Sequence, residues 1–420
     1  KNEEPLGRRN RTTPDDEVLF AAQVLVATVD AKVAVSIERL VRLVAAAAFF
    51  LANSTGRAAA HCKDLSGSSL DGDDAFARPL FASLWAPWNA HRHHEELPVT
   101  ARALLDELRA HYSGQADKVA VAARAGELRE WVYANGDAHQ LMLADLMCAV
   151  AIQRSNNSAW TRLPEYTGLE RETWSAYLLR PEAIKDMWPS QQMLGESRVY
   201  AGESAVVQMP TSAGKTRATE LILRSAFRTA RTSLAIVVAP FRALCYEIAQ
   251  DLRSKFRADG LHVNQLSDAL QQDYRLDLSE FLNFGFETAP HVVILTPEKL
   301  LYIMRQEPQF VSNVGLVIYD EGHQFDDSGR GVVYELLLTS IKRALPSAAQ
   351  TVLISAVISN AQELANWLLT GRRQVVSDTS VQTSRHVAFT TMERGASGQL
   401  QFDSIIEGEQ EFFVPRLISH

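Results

Sequence analysis

The sequence predicts an α/β fold: a domain with a parallel sheet, preceded by an all-helical N-terminal domain. Two observations carry this reading. Short apolar runs at residues 204–208, 234–238, 291–295, 315–319 and 351–354 alternate with helical stretches such as 217–229 and 242–256. Continuous apolar strands between helices belong to a parallel sheet covered on both faces. Before about residue 190 the texture differs: apolar residues recur at helical spacing and β-branched alternation is scarce.

Taken in order, residues 1–11 are polar. Thr13-Pro14-Asp15-Asp16-Glu17 reads as a helix start, with a hydroxyl cap, a proline in the first turn and acids at the positive helix end. The apolar stretch 18–52 is interrupted by Asp30, Lys32, Glu38, Arg39 and Arg42. Its uncharged part, 43–56, is shorter than the roughly 20 residues a membrane crossing needs. A buried helix is expected there, and no membrane partner. Residues 54–74, rich in Gly, Ser and Asp, read as a loop, and helices resume at 99–111 and 116–153. Trp131, Tyr133, Trp160 and Trp174 are expected to pack the helical region. His91, His93 and His94 beside Glu95 and Glu96 lack the two-histidine helical spacing of a zinc site and lead into Pro98, so they read as an exposed loop. Arg224, Arg228 and Arg231 fall on one side of a helix and read as a solvated face. Residues 372–420 are polar with strand-like pieces at 374–376 and 386–390.

The 420 residues suggest three divisions: 1–170 helical, 171–375 around the sheet, and 376–420 as the start of a further domain. A net charge of -8 rules out a globally basic surface, so any nucleic-acid contact must use a local groove. The 3 cysteines, Cys62, Cys148 and Cys245, form no CxxC pair. That argues against a zinc ribbon or a disulfide framework and fits a reducing, cytoplasmic compartment.

Two motifs carry chemistry. "MPTSAGKT", residues 209–216, joins the strand 205–208 to a helix. A strand-to-helix turn of this kind is a phosphate-binding loop. Backbone N–H groups of Pro210-Thr211-Ser212-Ala213-Gly214 and the helix N-terminus face the phosphates; proline supplies none of its own. Lys215 reaches the β- and γ-phosphates, and the Thr216 hydroxyl binds Mg²⁺. Met209 stands where the strict pattern has glycine. "VGLVIYDEGH", residues 314–323, is a buried strand ending in Asp320-Glu321. Asp320 is suited to hold Mg²⁺ and Glu321 to position the attacking water. ATP and Mg²⁺ are the cofactors expected.

Together with five further segments, these motifs resemble the first RecA-like domain of superfamily 2 helicases, in the Ski-like DExH-box branch. The segments are "MWPSQQ" at 187–192, "APFRALCYE" at 239–247, "TPEKL" at 296–300, "RGVVYE" at 330–335 and "LISAVISNAQELANWL" at 353–368. The resemblance covers about residues 188–370. It implies that Gln191, with Gln192 as fallback, reads adenine. Pro240, Arg242, Thr296 and Pro297 would lie at nucleic-acid phosphates. His323 would link the nucleotide to the Ser355-Ala356 segment, which couples hydrolysis to motion. Two departures stand out. The coupling segment reads Ser355-Ala356-Val357 where the family has threonine last. The second RecA-like domain and its arginines do not appear before His420, so the chain is expected to belong to a longer protein. The implied function is an ATP-dependent helicase or translocase on single-stranded DNA or RNA, with DNA slightly favoured. The alternative is a nucleotide-gated binding or scaffold protein. By analogy with bacterial phage-defence helicases of this branch, the helical region would recruit a protein partner such as a nuclease.

Overall fold

The computed structural model describes residues 14–33, 35–66, 75–89, 98–210, 213–266, 290–322, 330–356, 358, 360–378, 388–392, 397–402 and 412–419. The chain divides into two compact units, 1–380 and 381–420.

The first unit opens with α1 (Pro14–Asp30), α2 (Glu38–Leu51), α3 (Thr55–Ser66), α4 (Ala77–Leu84), α5 (Val99–Tyr112), α6 (Lys118–Asn135), α7 (Ala138–Asn157), α8 (Ala159–Thr167) and α9 (Arg171–Leu178). Pro14 starts α1, and Asp15, Asp16 and Glu17 fill its first turn. In α2, Leu43 and Ala45 through Phe50 are buried, as expected of the uncharged apolar stretch. The expected loop at 54–74 is corrected by α3: Ala58, Cys62 and Leu65, at i, i+4 and i+7, form a buried stripe. The helical stretch 116–153 is a hairpin broken at Gly136-Asp137. Asp137 caps α7 by accepting N–H bonds from His139 at 2.9 Å and Gln140 at 2.8 Å. Trp160 and Trp174 are buried as expected, but Trp131 and Tyr133 are exposed. They lie off the α6 face made by Val121, Ala125, Leu128 and Val132, which alone meets the core. His91, His93 and His94 lie outside the described residues.

The sheet follows: α10 (Pro189–Glu196), β1 (Ala205–Gln208), α11 (Lys215–Arg228), β2 (Leu234–Val238), α12 (Arg242–Phe256), β3 (His262–Gln265), β4 (His291–Leu295), α13 (Pro297–Gln306), α14 (Gln309–Ser312), β5 (Leu316–Tyr319), α15 (Arg330–Ala344), β6 (Gln350–Ser355), α16 (Ala361–Leu368) and β7 (Gln374–Ser377). Strand order is β3-β4-β2-β5-β6-β1-β7, and every pairing is parallel. Strand residues alternate between faces. Val207, Val237, Ile294, Ile318 and Ile354 join a core that runs through α11 and α12 into the helical region. Val206, Ile236, Val293, Val317 and Leu353 pack under α13, α15 and α16. Edge strand β3, "HVNQ", has no apolar run and gives no strand signal in the sequence. In the second unit, β8 (Ala388–Met392), β9 (Ser397–Phe402) and β10 (Phe412–Ser419) form an antiparallel sheet. Its register breaks between Val414 and Ile418, where Pro415 lacks a donor on an edge strand.

The arginine series expected as a solvated face, Arg224 and Arg228 on α11 and Arg231 just beyond it, is not one. Arg224 is only 2% exposed, and Glu220, which accepts from it at 2.9 Å, is 1% exposed. Arg224 also donates to Asp259 at 2.7 Å and to the Lys255 carbonyl at 2.8 Å, and stacks 3.9 Å over the Tyr177 ring. Arg180 binds Asp259 through two bonds of 2.8 Å. Arg228 donates to the Thr173 carbonyl, and Arg231 to the Tyr200 carbonyl and Gln350. The cause is α9 with the chain after it, together with the end of α12 and its following turn, which cover α11 and turn this face inward. Burial alone would raise the Glu220 carboxyl. Arg224 and Lys255 outweigh that and hold it below its ordinary value.

A second ionic hub sits inside the helical region. Asp186 accepts from the Tyr112 hydroxyl and from the Arg154 guanidinium, which also donates to the Leu84 carbonyl. Arg154 stacks 4.9 Å over Phe50 and 5.8 Å over Trp88. One side chain thus joins α2, α4, α5, α7 and the segment leading into α10. Arg154→Met leaves the half-buried Asp186 without its cation. A loss of about 3–5 kcal/mol is expected, read as a fall in the urea midpoint. Arg124→Ala, which breaks exposed pairs with Glu127 and Glu107, is expected to leave the urea midpoint essentially unchanged.

Candidate functional site

Because every strand of the large sheet is parallel, the carboxyl ends of β1, β2, β4, β5 and β6 open on one edge. There the chain leaves β1 through Met209 and turns into α11. Met209 is buried and donates its N–H to the Ser355 carbonyl at 2.9 Å. The large side chain in place of glycine is therefore absorbed by the core. The Pro210 carbonyl accepts from Ala213 N–H at 3.0 Å, closing the turn. Gly214 has φ +83°, a left-handed conformation that glycine adopts without strain. A Cβ there would sit 3.0 Å from the Gln191 amide nitrogen. Thr211 and Ser212 lie outside the described residues. Among the described residues no side chain caps α11. The N–H groups of its first turn therefore remain a positive end for an anion. Lys215 begins the helix, and Thr216 beside it is exposed.

The end of β5 meets this loop. Asp320 donates its N–H to the Val238 carbonyl at 2.9 Å, and its Oδ1 accepts from Glu321 N–H at 3.0 Å. Glu321 has φ +52°, an uncommon conformation for a residue with a side chain. This turn brings its Oε1 to 2.6 Å from the Lys215 Nζ. Backbone strain placed at a pair of charged groups is a frequent mark of a working site. Gly322 behind it has no room for a Cβ, which would lie 2.4 Å from Leu353. The Tyr334 hydroxyl on α15 donates to the Asp320 carbonyl at 3.3 Å.

On the other side of the loop stands α10, with Pro189 in its first turn. Gln191 is 3% exposed; its Oε1 accepts from Trp188 N–H at 3.0 Å, and its amide nitrogen lies toward Gly214. Gln192 instead donates to the Met187 carbonyl at 2.7 Å. So Gln191, and not Gln192, lies against the loop. Ser190 donates to the Ala213 carbonyl at 2.8 Å.

At the β2 and β4 tips, Pro240 and Pro297 are buried and Arg242 is exposed at the start of α12. Thr296 occupies the N-cap position of α13, yet its side chain makes no cap hydrogen bond. Lys299, one turn further on, is held below its ordinary value first by burial and then by the charge of Arg242. Two cations therefore share this part of the edge. At the β6 tip, Ser355 is buried and Ala356 half-buried. The side chain of Gln208 reaches the Ile358 carbonyl at 2.5 Å and ties β1 to the same segment. His323 and Val357 lie outside the described residues.

Ser190, Lys299 and Tyr334 are the additions sequence reasoning missed. Each lay inside a quoted motif, but nothing in residue type set it apart from its neighbours. A groove of about 590 Å³, lined by Ser233, Pro290, Gly315 and Ala349, lies at the amino ends of β2, β4, β5 and β6, opposite this edge. Ligands of parallel sheets bind at the carboxyl ends, and this groove lies at the other end of the strands.

The donor set suits a nucleoside triphosphate with Mg²⁺: an uncapped helix N-terminus, a lysine, an exposed hydroxyl and two carboxylates. Among the described residues no group of three His, Cys, Asp or Glu converges as a metal cage. Mg²⁺ asks for few protein ligands and keeps its waters. Among the described residues, no single helix is long and apolar enough to cross a membrane.

Residues 189–364 match the family DEAD/DEAH box helicase, and this part of the chain is a DEAD/DEAH box helicase domain of superfamily 2. Such a domain implies ATP and, as its usual companion, Mg²⁺. The chain is similar to the Hachiman protein HamB of Bacillus cereus, 27% identical over 238 residues, which is 56% of this chain and 21% of that protein. It is also similar to the ATP-dependent DNA helicase Hel308 of Methanococcus vannielii, 28% identical over 197 residues (46% of this chain, 24% of that protein). The Hel308 of Thermoplasma volcanium is 32% identical over 183 residues (44% and 25%). The chain thus spans about a fifth to a quarter of the length of these relatives.

Gly214→Ala forces a side chain into a left-handed turn against Gln191. Affinity for a fluorescent ATP analogue is expected to fall by about tenfold or more, with the melting midpoint moved only a few degrees. Unchanged affinity would mean that this turn does not hold the nucleotide.

Proposed function

We propose that the chain is the motor part of an ATP-dependent nucleic-acid helicase or translocase, of the Ski-like DExH-box type, that moves along a single strand. The observation that carries this is the meeting of Lys215 and Glu321 at 2.6 Å on the sheet edge that also bears Arg242, Thr296 and Lys299. Bound Mg²⁺·ATP supplies a reactive phosphoanhydride and the charge that neutralises its phosphates. The protein's own part is positioning. Backbone N–H groups of the loop and the start of α11 receive the phosphates. Lys215 exchanges its carboxylate partner for phosphate oxygens. Glu321, released, orients the attacking water and takes its proton. Thr216 and Asp320 hold Mg²⁺, and Gln191 reads adenine.

Arg242, Thr296 and Lys299, with Pro240 and Pro297 shaping the turns, grip backbone phosphates of the strand. Such contacts fix position without reading sequence. His323, Ser355 and Ala356 relay the state of the nucleotide to the strand side. In this reading residues 1–170 are a helical domain, 171–375 the first RecA-like domain, and 376–420 the start of a second one whose arginines complete the site. DNA is favoured over RNA by the similarity to proteins named DNA helicases. The helical region is the proposed seat of a protein partner such as a nuclease, in a cytoplasmic antiviral setting.

The test is ATP hydrolysis by the complete polypeptide with and without single-stranded DNA and RNA. One of the two is expected to stimulate wild-type turnover at least about tenfold. Glu321→Gln is expected to lower the stimulated kcat by about a hundredfold or more. Nucleic-acid binding without stimulated turnover would contradict the motor and support a nucleotide-gated scaffold instead.

A further inference from the structure

Ser190 is 1% exposed, in the first turn of α10, and its hydroxyl donates to the Ala213 carbonyl at 2.8 Å. That carbonyl belongs to the peptide joining Ala213 to Gly214. In a trans peptide the C=O and the following N–H point to opposite sides. Holding the carbonyl toward α10 therefore holds the Gly214 N–H away from α10. The residue that follows is the one most able to let this peptide rotate, because Gly214 is glycine with φ +83°. Rotation would exchange a donor for an acceptor in the turn just before Lys215. Phosphates attract N–H groups and repel carbonyl oxygens, so the two orientations differ in anion affinity.

We infer that Ser190 is a positioning residue for nucleotide binding: its hydroxyl locks the Ala213–Gly214 peptide in the orientation that receives phosphate. This rests on the nucleotide site proposed above and adds a residue to it. Ser190 touches no phosphate. It acts through the loop backbone and affects the binding of any nucleoside di- or triphosphate.

The experiment compares the complete polypeptide as wild type, Ser190→Ala and Ser190→Thr. It measures Kd for Mg²⁺·ADP and for a non-hydrolysable Mg²⁺·ATP analogue by titration calorimetry, KM and kcat for ATP, and the melting midpoint. The loss of one hydrogen bond in Ser190→Ala is expected to raise Kd and KM about five- to tenfold, with kcat within about twofold. Ser190→Thr keeps the hydroxyl and is expected to restore affinity to within about twofold of wild type. Ser190→Cys, nearly the same shape with a weaker donor, is read like alanine should the alanine variant fail to fold. Wild-type affinity in Ser190→Ala would overturn the inference. So would equal losses in Ser190→Ala and Ser190→Thr, which would indicate packing and not hydrogen bonding. A wild-type protein that binds neither nucleotide would overturn the nucleotide site itself, and this inference with it.

Discussion

A single geometric constraint governs this chain: all strands of the large sheet run the same way. Every loop leaving a carboxyl end must therefore emerge on the same edge, whatever its distance along the sequence. Lys215 and Glu321 are 106 positions apart and lie 2.6 Å apart in space because β1 and β5 end together with β6 between them. The same constraint brings Arg242 and Lys299, from the helices after β2 and β4, close enough for one charge to disturb the other. Remove the parallel order and the phosphate loop, the carboxylates and the basic tips would face different solvents.

The helical region does more than precede the sheet. Its core continues without interruption into one face of the sheet. Two ionic hubs mark the passage: Arg154 with Asp186, and Glu220 with Arg224 and Asp259. Buried charges of this kind cost more in desolvation than isolated pairs return. They persist where several partners share each group, as they do here. The second hub grips α11, the helix that begins at Lys215. Ser190, which holds the loop from behind, and Gln191, which lies toward Gly214, come from α10, which directly follows the helical region. The orientation of the phosphate loop thus depends on elements outside the strand-helix unit that carries it.

Much of this was legible in the residues. The runs at 234–238 and 291–295 are strands with those same limits, because a strand buried on both faces is built almost wholly of apolar residues. The loop and the Asp320-Glu321 tip were read from residue types at the ends of apolar runs, and Lys215 and Glu321 meet. Three kinds of feature were hidden. β3 is half-exposed and polar, so pairing with β4, not composition, makes it a strand. The helix at 55–66 hides its buried stripe beneath glycine and serine counts. Arg224 and Arg228 look like a solvated face until α9 and the end of α12 are placed over them, a tertiary fact that no helical wheel contains. The contribution of Ser190 is hidden in the same way, since a serine in a helix start normally serves its own helix.

The edge shared by Lys215 and Glu321 is the proposed nucleotide site, and every other functional assignment depends on it. Calorimetric titration of Mg²⁺·ATP into the complete polypeptide tests this without requiring turnover or nucleic acid. Binding of about one nucleotide per chain in the wild type is expected, weakened by about a hundredfold or more in Lys215→Ala because a charge-assisted phosphate contact is lost. Equal binding by wild type and Lys215→Ala would contradict the account.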